Sequence, residues 1–95
     1  MTVQTQPFDS SDYLDSPEAI AAYLEAVLEE DDPALFTYAL GQVARSRGMS
    51  QIAADAGLSR EALYRALSSE GDPRLSTLTG VMRALGLRLS VEPAR

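Results

Sequence analysis

Cysteine, histidine and lysine are all missing from this 95-residue chain. Without cysteine there is neither a disulfide framework nor a thiolate metal site, and a reducing cytoplasm is the expected setting. Without histidine or lysine the commonest general base, the commonest metal ligand and the usual Schiff-base nucleophile are gone. An enzyme would have to work with carboxylates, Ser, Tyr and Arg, and no constellation of these stands out. The expectation is a protein with no catalytic residue, no metal and no cofactor. Long apolar runs are absent as well. Nothing approaches the roughly 20 residues that span a bilayer, and the opening MTVQTQPFDSSDYLD has neither the basic nor the apolar segment of a secretory signal. No membrane partner is expected.

Basic residues are absent from the whole first half. Residues 1–44 hold nine acidic side chains and no basic one, whereas residues 45–95 hold eight arginines against five acids, a balance of +3 within a net charge of −6. Such a split points to two partners of opposite sign, each docking by local field rather than by net charge. The acidic run Glu29-Glu30-Asp31-Asp32 lacks the glycine turn and alternating ligands of a calcium loop, and reads as a solvated helix end followed by a new cap.

The length suits one small domain. Residues 1–15 are expected to be an N-terminal arm, polar and unpatterned over the first twelve, residues 16–91 one helical domain and residues 92–95 a tail. Ser16-Pro17-Glu18 is a helix start, and Ile20, Tyr23, Leu24, Val27 and Leu28 form one helix face to about residue 30. Asp32-Pro33 repeats the signature, with a stripe of Leu35, Phe36, Ala39, Leu40, Val43 and Ala44 that Gly48 closes. A third helix is expected from Ser50 to Ala56 and a fourth from the Ser59 cap to about Leu67. A fifth should open at Ser76 or Thr77 and carry Leu78, Val81, Met82 and Leu85 to Gly86. Leu87-Arg88-Leu89-Ser90-Val91 alternates apolar and polar, which predicts a short C-terminal β-strand.

Residues 49–68, MSQIAADAGLSREALYRALS, have the form of a helix-turn-helix. Ile52, Ala53 and Ala56 face inward from the first helix, and Leu63, Ala66 and Leu67 from the second. Gly57 supplies a left-handed turn and Leu58 plugs the joint. Ser59, Arg60, Tyr64 and Arg65 are left outward, near the N-terminal half of the second helix, the part of a recognition helix that meets base edges. Gln51 stands where it reaches a phosphate beside a helix N-terminus. Spacing alone also admits a plain α-hairpin in a bundle; Tyr64 between two arginines in the basic half favours double-stranded DNA.

The run ALGQVARSRGMSQIAADAGLSREALYRALSSEGDPRLSTLTGVMRALGLRLSV, with FDSSDYLDSPEAIAAYLEAVLEEDDPALFTYAL before it, strongly resembles the probable addiction module antidote family. These are HigA-like antitoxins with an Xre-type, lambda-repressor-like helix-turn-helix, and GLSREALYRALS followed by GDP is the most specific part. The resemblance implies an all-α, five-helix DNA-binding domain that neutralises a RelE/HigB-like ribonuclease toxin and represses its own operon. It places Gln51, Ser59, Arg60, Tyr64 and Arg65 toward DNA, with Ser50, Ser68 and Arg74 near phosphates by position.

The acidic half suits a basic toxin. The expected toxin contact is Phe8, Asp9, Asp12, Tyr13, Leu14 and Asp15 with part of the first helix; the alternative is that Tyr13 and Leu14 staple the arm onto that helix. A lone strand leaves backbone groups unpaired, so Leu87, Leu89 and Val91 are expected to pair with a second copy as a homodimer, or with the toxin's sheet edge. Two rivals to the antitoxin reading are a stand-alone Xre-type regulator and a helical interaction module that never touches DNA.

Overall fold

Each of the first two helices begins where a capping side chain meets a proline. The computed structural model describes residues 14–68 and 70–94, and they form α1 (Pro17–Leu28), α2 (Pro33–Arg47), α3 (Met49–Ala56), α4 (Arg60–Ala66) and α5 (Leu75–Ala84). Ser16 Oγ accepts from the Ala19 amide at 3.1 Å and Asp32 Oδ1 from the Leu35 amide at 3.2 Å. Each bond satisfies a donor that the first helical turn leaves orphaned, and proline at the next position removes another.

The boundaries move by a residue or two where local sterics decide. The first helix stops at Leu28 because the residue before Pro33 is barred from helical backbone and Asp31 turns the chain at φ 56°. The fifth opens at Leu75, ahead of both hydroxyl residues expected to start it. Its N-cap is Arg74 in extended backbone, with no side-chain bond to the first turn.

Packing is a chain of neighbours: α1 lies on α2, α2 on α3, and α3 on both α4 and α5. The core takes Ile20 and Leu24 from α1, Leu40 and Val43 from α2, Ile52 and Ala53 from α3, Leu63 and Leu67 from α4 and its end, and Val81, Met82 and Leu85 from α5 and its end. The last apolar residue of the α1 stripe, Leu28, is 55% exposed. Leu14 is 4% exposed and belongs to the core, although it precedes the expected start of the folded domain.

The turn between α3 and α4 is closed by backbone. Gly57 adopts φ 76°, and the Leu58 amide donates to the Ala53 carbonyl at 2.8 Å, five residues back. That bond reverses the chain within three residues and seats Leu58 against the core.

No strand forms among the described residues, so the β-strand expected over Leu87–Val91 is not made within this chain. Alternation prepares a strand, but the ladder needs a second one, and the described residues offer none. Leu87 reaches the core edge, while Leu89 is 46% and Val91 98% exposed.

One contact across the bundle has no slack. A Cβ on Gly41 of α2 would sit 2.9 Å from the carbonyl oxygen of Leu67 at the end of α4, so the two elements touch where a side chain is missing. Gly41→Ala therefore trades a helix-propensity gain of about 1 kcal/mol against an overpacking cost of about 1–3 kcal/mol. Because the obstacle is backbone, the cost wins. Thermal unfolding should fall by several degrees, and a higher melting temperature would contradict this packing.

Candidate nucleic-acid interface

The exposed side of the helical hairpin is built from α4 and from the two helix ends that flank it. Ser59 caps α4, its Oγ accepting from the Ala62 amide at 3.0 Å. That bond fixes the first turn and leaves Arg60, Glu61, Tyr64 and Arg65 outward, while Leu63 is fully enclosed on the opposite side. Glu61 sits in the first turn, where the positive end of the helix dipole favours an acid.

Ser50 and Gln51 are exposed in the first turn of α3. This helix has Gly48 at its N-cap and no side-chain bond to its leading amides. Gln51 does not project freely: its Nε2 donates to Asp55 Oδ1 at 2.9 Å, one turn along. Ser68 Oγ donates to the Arg65 carbonyl at 3.0 Å and closes the end of α4. Of the polar residues singled out in the sequence, Ser59, Gln51 and Ser68 thus have intramolecular partners, and Arg74 is the extended N-cap of α5.

Tyr64 is more than a hydroxyl between two arginines. The Arg60 guanidinium lies over its ring, 5.3 Å from the centroid, and that of Arg45 lies over the same ring at 5.8 Å. A cation over an aromatic face is drawn by the ring quadrupole. Arg45 comes from the last turn of α2 and is the residue that sequence reasoning passed over. Its Nη1 donates to Gln42 Oε1 at 3.2 Å, and Gln42 Nε2 donates to Tyr38 Oη at 3.1 Å. The spacings of 4 and 3 residues along α2 carry these bonds and were readable; the reach across to α4 was not.

The opposite charge gathers elsewhere. Glu18, Glu25, Glu29, Glu30, Asp31 and Asp32 are exposed on α1 and the turn after it, and Asp15 is exposed just before it. A groove of about 420 Å³ runs between α1 and the segment after α5; Leu24, Leu28, Phe36 and Leu87 line it, with Glu25 and Glu29 at its side. Of the expected toxin-contact residues, Phe8, Asp9, Asp12 and Tyr13 lie outside the described residues. The Leu14 side chain is enclosed by the core, and Arg47 Nη1 donates to its carbonyl at 3.5 Å. Among the described residues no group of His, Cys, Asp or Glu is placed to hold a metal ion, and no helix is long and apolar enough to cross a membrane.

The model of the probable addiction module antidote proteins matches residues 4–93. An uncharacterised protein of Haemophilus influenzae is 50% identical over 95 residues, which cover 100% of this chain and 98% of that one. No solved structure matches the chain. The family match runs from the acidic first half through all five helices to the segment beyond α5. This chain therefore belongs to the family of probable addiction module antidote proteins.

Proposed function

We propose that this antidote does two things with its two oppositely charged halves: it neutralises a RelE/HigB-like ribonuclease toxin, and it represses its own operon through an Xre-type, lambda-repressor-like helix-turn-helix formed by α3 and α4. The DNA reading rests on one observation, the exposed row Arg60, Tyr64 and Arg65 on α4 behind a left-handed turn at Gly57. Arginine reads guanine by two parallel hydrogen bonds in the major groove, and a short helix capped at Ser59 presents its first two turns to that groove. The uncapped first turn of α3, with Ser50 and Gln51, suits a phosphate.

The net charge of −6 does not forbid this. The molecule extends over 42 × 36 × 24 Å, while salt screens exposed charges beyond about 8 Å at physiological ionic strength. DNA at α4 responds to the local arginines.

Repression is the work of a homodimer in this reading. Residues 87–91 have no partner strand among the described residues and keep Leu89 and Val91 outward, which suits pairing with the same segment of a second copy. Two such domains then address two half-sites about one helical turn apart. The chain has no enzymatic role, works in the cytoplasm and needs no cofactor.

A gel shift tests the DNA half, with the duplex upstream of the chain's own gene against a scrambled duplex at two salt concentrations. Arg60→Ala and Arg65→Ala should each cost about 1–3 kcal/mol on the upstream duplex only, if each reads a guanine. No preference by the unmodified protein at either salt would overturn the assignment.

The toxin half is tested by charge reversal. Glu25→Arg with Glu29→Arg, both exposed beside the groove, should weaken the complex with the cognate toxin and raise its dissociation rate, leaving the upstream duplex shifted as before. Unchanged toxin affinity would move the contact away from α1.

A further inference from the structure

We propose that Arg45, on α2 and outside the helix-turn-helix, is a binding residue for a DNA phosphodiester, and that the ring of Tyr64 is the platform holding Arg45 and Arg60 as a pair. The inference rests on α4 being the DNA face and adds a residue and a positioning device that the hairpin motif does not contain.

The geometry comes from the Gly41 contact. Gly41 touches Leu67, and four residues on along α2 Arg45 meets Tyr64, three residues back along α4. Close approach at Gly41 and Leu67, with the Arg45 side chain lying back beside Gly41, delivers a guanidinium from α2 onto the exposed side of α4. Both charges lie over one ring, so they cannot stand farther apart than their two centroid distances of 5.8 and 5.3 Å together. Two like charges so placed gain from an anion between or beside them, and a phosphodiester is an anion that a duplex repeats along its whole length.

An arginine in the last turn of a helix ordinarily serves the negative end of that helix's own dipole. Arg45 is turned the other way. Its Nη1 lies back along α2, bonded to Gln42 and 3.7 Å from where a Cβ on Gly41 would be, and so points away from the carbonyls that end the helix. The hydrogen-bond partner is a neutral amide, so the bond orients the guanidinium and leaves its charge in place. Tyr38, the next link, is exposed and anchors Gln42 from the same helix. The resulting row, Tyr38, Gln42, Arg45, Tyr64 and Arg60, runs from α2 across to α4 and contains no acid. Tyr64 itself is 37% exposed, with both cations over its ring. Its part is to position arginines, so an aromatic ring is what the site needs and the hydroxyl is secondary.

The test is a salt series of binding to the upstream and scrambled duplexes by the full chain and by Arg45→Ala, Arg45→Gln, Tyr64→Phe, Tyr64→Leu and the Arg45→Ala/Tyr64→Leu double variant. A phosphate contact carries no sequence information, so both Arg45 variants should weaken the two duplexes alike and lower the log–log salt slope by about 1. Tyr64→Leu should weaken binding about threefold to tenfold, and Tyr64→Phe should recover most of that loss. The double variant should lose less than the two single losses multiplied together, because the ring acts partly through Arg45. Melting curves separate these effects from unfolding, and Arg45→Gln removes the charge while keeping a polar side chain at this exposed position.

An unchanged salt slope in both Arg45 variants would overturn the phosphate contact. Equal loss in Tyr64→Phe and Tyr64→Leu, or losses that multiply, would overturn the platform. Failure of the unmodified chain to bind either duplex would instead overturn the reading of α4 and this inference with it, a distinct result from binding with a flat variant series.

Discussion

The exposed face of α4 is set by how closely its end lies against α2, and that distance exists because Gly41 has no side chain. The carbonyl of Leu67 occupies the space a methyl group would fill, at 2.9 Å from the missing Cβ. Backbone against backbone leaves little room to adjust, since interiors are packed to near-crystal density and respond to a single carbon. Leu63 and Leu67 complete the clamp from inside, both buried in the core, so α4 is held along one side and presents the other. The left-handed turn at Gly57 fixes its entry and the Ser59 cap its first turn. A helix of 7 residues is far too short to persist alone in water. Its shape is a property of these contacts rather than of its own sequence.

Charge follows the same division of labour. Glu18, Glu25, Glu29, Glu30, Asp31 and Asp32 crowd onto α1 and the turn that leads to α2, and every arginine comes after Gly41 in the chain. In the proposed reading one face serves a basic protein and the other a polyanion, and the screening length is shorter than the molecule. An antidote whose charges were mixed evenly would attract each partner to the wrong face.

Much of this was legible in the sequence because it is local. Caps at Ser16, Asp32 and Ser59, prolines at 17 and 33 and the stripes at helical spacing gave five helices close to their true bounds. What escaped depends on residues far apart in the chain. Gly41 carries no signal until Leu67 is placed beside it, and Arg45 looks like an ordinary helix-end arginine until Tyr64 arrives from α4. The sequence places Tyr64 between two arginines of its own helix, but the two cations its ring holds come from α4 and α2. The sequence puts Leu14 at the toxin contact or, with Tyr13, in a staple onto α1; its side chain lies in the core. The alternation over Leu87–Val91 is real, but a strand is a relation between two segments, and no second one forms among the described residues.

The central claim is that the face formed by α4 and the end of α2 is where this antidote meets DNA. Backbone amide shifts followed by NMR during titration with the duplex upstream of its gene test this most directly. The account predicts the largest changes at residue 45, residues 49–51 and residues 59–65, with α1 unmoved. Changes centred on α1 or on residues 87–92, with α4 silent, would contradict it.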